Sequence, residues 1–127
     1  MRCQCILLVF ALLISFASLW AVELADTLLV EQYREQATAC NRAGKRDSSQ
    51  IYLWKALALN RELLSTFDTP SRWADHVNCM AALGYLHLLR SEFETAETTL
   101  KTALDLGIQN LGRVHYENSN TLNNLGI

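Results

Sequence analysis

Apolar side chains recur every three or four positions along most of the chain, and each such run predicts an amphipathic helix. The first run covers residues 24–42, and its apolar face carries Leu24, Leu28, Leu29, Tyr33, Ala37 and Cys40. Gly44 then breaks the pattern, so a short turn is expected there. The second run extends from Asp47 and Ser48, which are suitable N-cap residues, to Thr66.

Three further helices follow from the same period. Pro70 suits the first turn of a helix, because the N–H that proline lacks is not needed there, and Thr69 before it is a suitable cap. The third helix is therefore expected to extend from Pro70 to about Arg90. The fourth is expected to end before Gly112, since glycine suits the left-handed turn past a helix end. A fifth begins near Tyr116.

The first 21 residues have the three parts of a secretory signal. Arg2 supplies a positive start, residues 6–14 are all apolar, and Ala17 ends a small-x-small cleavage signature, with a poorer site after Ala21. Two alternatives stay open. Residues 6–22 form a stretch of 17 residues, the lower limit for crossing a bilayer, so an uncleaved anchor is one alternative. A buried helix of a cytosolic protein is the other.

Composition and charge narrow the class of protein. The chain has 127 residues, enough for one domain. Half of them are apolar, which is a high fraction for a soluble domain, and many of these apolar residues lie in the first 22 positions. The formal net charge is -2, and no stripe of Lys and Arg is present, which excludes nucleic-acid binding. One Pro and five Gly favour a mostly helical fold over one with many turns.

The helical segments also resemble one another. Leu83-Gly84 recurs as Leu125-Gly126, which is 42 residues later. A shift of 47 residues superposes two helices and the turn between them without a gap, which predicts tandem helix pairs. This shift aligns Ala37 with Gly84, Gly44 with Ser91, Ser49 with Ala96, Leu53 with Leu100, and Ala56 with Ala103.

The second helix pair resembles the tetratricopeptide repeat family. In that family a large residue, Leu-Gly and an aromatic residue occupy the first helix, and Ala, a bulky apolar residue and Ala occupy the second. The small residues let the two helices approach closely. The first pair keeps only part of the pattern and is a degenerate repeat. The second pair has at the family positions Met80, Leu83, Gly84 and His87, the last in place of Tyr, and then Ala96, Leu100 and Ala103.

One subclass is matched in more detail. The 42-residue spacing, Gly112, His115 and the sequence Thr-Leu-Asn-Asn-Leu at 121–125 are similar to the kinesin-light-chain type of repeat, although Tyr116 stands where Pro is usual. The resemblance covers about residues 77–127.

The resemblance implies an all-α fold in which antiparallel helix-pair repeats stack as a right-handed α-solenoid. It divides the chain into a signal peptide or anchor at 1–21, a degenerate repeat at 24–66, a second repeat at 70–112, and the first helix of an incomplete third repeat at 116–127.

The resemblance also implies a binding surface, because the first helix of each repeat lines a concave wall. The candidate peptide-binding residues are Asn78, Tyr85, Asn120 and Asn123, since amides both donate and accept hydrogen bonds and an exposed Tyr offers a rigid contact. The alternative is structural: the two later Asn residues cap or bridge helices, Tyr85 packs on the next repeat, and Leu88 and Leu89 pack in the core. Further wall positions are Glu31, Arg34, Thr38, Asn41, Arg42, Ala81, Leu88 and Leu89.

Candidate chemistry is sparse. His76, His87 and His115 lack the close spacing of a metal site, and the chain has no phosphate-binding Gly loop or G-x-S-x-G pattern. We therefore predict no catalytic residue, metal or cofactor. The repeat geometry separates Cys40 and Cys79 by about 12 Å along the helix axis, too far for a disulfide. Both are expected to be small buried residues, whereas Cys3 and Cys5 leave with a cleaved signal.

These observations predict a non-catalytic scaffold that binds a protein or peptide of undetermined identity in a secreted or other extracytoplasmic compartment. It would be membrane-anchored if the N-terminal segment is retained. The alternative is a sensory or regulatory arm of a longer enzyme or receptor, with the effector beyond residue 127. Because the sequence stops inside the third repeat, we interpret it as an N-terminal fragment. Two repeats are fewer than such arrays need, so self-association is a further expectation.

Overall fold

The computed structural model describes residues 2–113, 121 and 124–126, and its regular elements are four α-helices. They are α1 (Arg2–Arg42), α2 (Arg46–Thr66), α3 (Pro70–Leu89) and α4 (Phe93–Leu111). This part of the chain contains no strand, so the predicted all-α class is confirmed for it. Three-residue turns join the helices, which pack in the order α1 on α2, α2 on α3 and α3 on α4. The predicted fifth helix lies mostly outside the described residues.

α1 is a single helix of 41 residues that includes both the apolar N-terminal segment and the first predicted amphipathic run. The separate start expected near residue 24 is not observed, because neither Gly nor Pro occurs before residue 43 to interrupt the helix. The large apolar side chains between Ile6 and Val22 are 44–70% exposed. By length and composition this helix can cross a membrane, a property that it shares with signal sequences.

The ends of α3 and α4 follow local rules. The Thr69 hydroxyl accepts a hydrogen bond from the Arg72 N–H at 3.4 Å, and Pro70 opens α3, so both predictions are confirmed. Gly112 follows α4 with φ 89° and ψ 161°. Its φ is positive, as expected for glycine, but its ψ is extended and not that of a left-handed helical turn.

The start of α2 differs from the prediction. Asp47 and Ser48 are not caps, because the helix begins at Arg46 and Lys45 is the N-cap, without a capping side-chain hydrogen bond. Asp47 instead lies in the first turn, where its carboxylate is favoured by the positive end of the helix dipole. Its side chain also pairs with Arg90, which joins the start of α2 to the end of α3.

Positions that are 47 residues apart have equivalent environments in the hairpins α1–α2 and α3–α4. The two turns also match, since Gly44 has φ 76° and Ser91 has φ 61°. The shift recognised in the sequence thus relates residues of the same burial and backbone conformation. The buried pairs, with their exposed fractions, are Ser49 and Ala96 (2% and 0%), Leu53 and Leu100 (5% and 1%), and Ala56 and Ala103 (0% each).

The core of the first three helices uses only the second half of α1. Leu24 and Leu28 were expected on the buried face but are each 62% exposed, because the face of α1 that meets α3 here carries Glu23 and Thr27 instead. Val30 and Ala37 are the buried apolar residues of α1. They pack with residues of α2 and α3, namely Leu53, Ala56, Leu57, Leu63, Cys79, Leu83 and Leu86.

α3 and α4 approach closely at Gly84. A Cβ atom added there would lie 2.6 Å from both Cγ and Cδ2 of Leu100, a distance at which something must shift. Leu100 is itself only 1% exposed and has little room to move. The prediction that a small residue at 84 allows this close approach is confirmed.

Candidate peptide-binding surface

α1 and α3 run side by side in the same direction, because α2 reverses the chain between them. The Arg72 guanidinium contacts the Glu23 carboxylate at 2.5 Å and the Thr27 hydroxyl at 3.1 Å. Farther along both helices, Arg34 contacts the Asp75 carboxylate at 2.7 Å. These ion pairs fix the relative positions of the two helices, and we call the surface between them the α1–α3 trough.

Three predicted wall residues meet in this trough. Thr38 and Asn41 of α1 and Tyr85 of α3 line one hollow of about 100 Å³. Tyr85 is 44% exposed, so its ring remains available for a contact. The floor contains Ser49 of α2, which is buried. Its hydroxyl donates a hydrogen bond to the Ala37 carbonyl at 2.7 Å. Sequence reasoning missed this floor, because it comes from a second helix of the repeat.

Asn78 lies two turns before Tyr85 on the same face of α3. Its side chain is half-buried and does not line the hollow, and its amide makes no hydrogen bond to any residue that the structure describes. It can therefore contact only a ligand that extends along α3 beyond the hollow. Asn120 and Asn123, the other candidates, lie outside the described residues.

Ala81 was expected on the wall but is 2% exposed and packs in the interior. The physical reason is helix geometry: Asn78 and Tyr85 share their face with Ala82, at the i+4 position, and Ala81 points about 100° away from Ala82. Ala82 does line the hollow. The i, i+4, i+7 spacing was the signal that could have identified it.

Charged side chains continue the trough along α1. Two acidic and two basic side chains line a depression of about 360 Å³, namely Glu31, Glu35, Arg34 and Arg42. Arg34 contacts Glu31 at 3.1 Å in addition to Asp75, so its guanidinium is already engaged by two carboxylates. Burial raises the pKa of the Asp75 carboxyl although Arg34 lies beside it. Arg42 is exposed and makes no ion pair within the described residues.

The two cysteines of the helical body, Cys40 and Cys79, are both free. Cys79 is 2% exposed, and burial raises the pKa of its thiol to about 12. A thiol that stays protonated at neutral pH is a poor nucleophile. Cys40 is only half-buried, which differs from the expected full burial, because it lies near the end of α1.

The histidines that the structure describes do not form a metal site. His87 Nδ1 lies 2.5 Å from a Glu92 carboxylate oxygen in the turn between α3 and α4. His76 is 5% exposed, and burial together with the nearby Arg61 lowers its pKa. Across residues 2–113, 121 and 124–126, no group of three or more His, Cys, Asp or Glu side chains could hold a metal ion.

Comparisons with models of protein families, with curated proteins and with solved structures give no match to this chain. The function must therefore be inferred from the geometry of the chain itself.

Proposed function

We propose that this chain is a non-catalytic binding protein of the tetratricopeptide repeat kind, in which helix pairs stack as a right-handed α-solenoid. The α1–α3 trough would bind an extended segment of a peptide or protein. The single observation that carries the proposal is the hollow in which Thr38, Asn41 and Tyr85 meet across two parallel first helices. The equivalence of positions 47 residues apart supports the repeat architecture.

The chemistry of the trough suits a peptide. Asn41 can donate to and accept from a peptide backbone, and the half-exposed Tyr85 ring provides a rigid apolar contact with a polar tip. Arg42 adds an exposed cation at one end. The preferred segment therefore carries an apolar side chain opposite Tyr85 and an acidic side chain toward Arg42.

The setting is part of the same proposal. We infer that residues 1–21 direct export, so that the trough faces an extracytoplasmic space. The exposed apolar half of α1 supports this inference, since water-exposed apolar surface of that extent is unfavourable outside a membrane or a transport channel.

The proposal can be tested with peptides selected from a random displayed library on the full chain in lipid nanodiscs. Tyr85→Ala should weaken the selected peptides by at least about tenfold, as truncation of a central aromatic contact does. Ile51→Ala is the matched control, because Ile51 is 49% exposed on α2 and does not line the trough. Equal affinities of the two variants would exclude the trough as the binding surface.

A further inference from the structure

A second concave surface lies on the other side of α3, between α2 and α4, and we call it the α2–α4 groove. Its volume is about 430 Å³, within the usual range for small-molecule sites. α3 forms its floor with His76, Met80 and Leu83, which share one face by their i, i+4, i+7 spacing. Tyr85 projects from the opposite face of α3, so the groove and the trough are separate.

The groove has an apolar interior. Met80 and Leu83 form its base, and Trp54 of α2 stands at its edge with 53% of its surface exposed. On the α4 side, Thr98 and Thr102 donate their hydroxyl protons to carbonyls of their own helix, at 3.0 and 2.9 Å. These two threonines therefore present methyl groups and hydroxyl oxygens, and no free hydroxyl proton, to the groove.

Among the described residues that line the groove, Arg61 is the only one with a permanently charged side chain. Arg61 of α2 lines it, makes no ion pair with any described residue, and has no carboxylate beside it in the lining. His76 also lines the groove, and its Nδ1 atom is buried without a hydrogen-bond partner. An unpaired guanidinium beside an apolar base favours an anion attached to an apolar body.

We propose that the α2–α4 groove binds a small organic carboxylate, with its carboxylate on Arg61 and its apolar body between Trp54 and Met80. A guanidinium matches a carboxylate with two parallel hydrogen bonds, and Trp54 and Met80 supply aromatic and polarisable contacts for the apolar part. The groove holds no acidic side chain that would repel this ligand in the part of the chain that the structure describes.

The chain offers a direct spectroscopic test, because Met1 and Met80 are its only methionines. The full chain in lipid nanodiscs is labelled with ¹³C-methyl methionine and titrated with 4-phenylbutyrate and with the neutral 4-phenylbutanamide. We expect a saturable shift of the Met80 methyl signal with the acid. We expect the amide to bind at least about tenfold more weakly, since charge-assisted hydrogen bonds are about twice as strong as neutral ones.

Substitutions in the α2–α4 groove test which residues bind the ligand. Arg61→Gln should weaken 4-phenylbutyrate by at least about tenfold, whereas Arg113→Gln, at an exposed arginine beyond the end of α4, should leave its affinity unchanged. Ala58→Trp, which fills the groove, should abolish the Met80 response, and Ala39→Trp on α1 should not. Absence of a saturable shift, equal affinities for acid and amide, or full affinity in Arg61→Gln would overturn the proposal.

Discussion

Cys79 is a residue whose burial has a measurable consequence at high pH. An exposed cysteine thiol has a pKa of about 9.0, but burial in the core raises the pKa of the Cys79 thiol to about 12. Between these values the unfolded chain releases a proton that the folded chain keeps. The free energy of unfolding therefore falls as the pH rises through this window.

The size of this effect can be predicted. Between pH 9 and pH 10 the Cys79 thiol should remove about 1 kcal/mol of stability, because each pH unit past the unfolded pKa contributes about 1.4 kcal/mol for one group. Chemical denaturation of Cys79→Ala at several pH values should lack this component. Cys40→Ala, at the half-buried cysteine, should retain it. Identical slopes for wild type and Cys79→Ala would contradict the assignment.

Gly84 is the residue at which the packing of α3 and α4 leaves least room. Gly84→Ala should lower the free energy of unfolding by about 1–3 kcal/mol, the usual cost of overpacking. The loss should occur although Ala is the better helix former by about 1 kcal/mol, since Leu100 cannot move away. Chemical denaturation measures the difference.

A double-mutant cycle separates this contact from a general effect of the substitution. Leu100→Ala removes the atoms that the new Cβ would meet at 2.6 Å. In that background Gly84→Ala should cost much less, or should stabilise the helix. Additive losses in the double variant would show that the clash is not with Leu100.

The turns between α1 and α2 and between α3 and α4 both contain a residue with a positive φ, and this residue differs between the two turns. Gly44 adopts φ 76° without cost, whereas Ser91 adopts φ 61°, which is unfavourable for a residue with a side chain. Ser91→Gly should therefore raise the free energy of unfolding by about 0.5–1 kcal/mol.

The reciprocal change serves as its counterpart. Gly44→Ser should lower stability by about 1 kcal/mol, and purely through the backbone, because no atom lies within 4 Å of the added Cβ. Thermal unfolding of both variants would test the pair. A destabilised Ser91→Gly would mean that the serine side chain makes a compensating contact.

Much of the helical order followed from local signals. Thr69 and Pro70 predicted the start of α3, and the shift of 47 residues related Gly44 to Ser91, whose φ angles are both positive. Each of these signals depends on a few neighbouring residues. The start of α2 was predicted less well, because Asp47 fits both an N-cap and a first turn, and its bond to Arg90 depends on the tertiary fold.

The candidate site was predictable only in part for a related reason. The family resemblance placed Thr38, Asn41 and Tyr85 on the wall, and the structure brings them together. The resemblance put Ala81 on the wall in place of Ala82, although the i, i+4, i+7 spacing from Asn78 and Tyr85 identifies Ala82 as the residue on that face. The exposure of Leu24 depends on which face of α1 the neighbouring helix α3 contacts, and the apolar pattern along α1 does not contain that information.

At the scale of the whole molecule, export should depend on the apolar half of α1. Leu13→Arg places a charge in the centre of that segment, at a cost of about 2.5–3.5 kcal/mol for insertion, and should block export of an alkaline phosphatase fusion. Leu28→Arg, at a position that is 62% exposed but outside the segment, is the matched control. Sequencing the N-terminus of the exported fusion then distinguishes cleavage after Ala17 or Ala21 from retention.

The uninterrupted course of α1 has a mechanical consequence. At 1.5 Å per residue, its 41 residues make a rod about 60 Å long. Its far end forms one side of the trough. If the apolar end is retained in a bilayer, the rod acts as a lever without a hinge, and the tilt of the anchor sets the angle at which the trough meets its partner. A force on a segment bound in the trough would then be transmitted along α1 to the membrane as a torque. Cleavage would abolish that coupling while leaving the Arg72 to Glu23 contact in the mature chain.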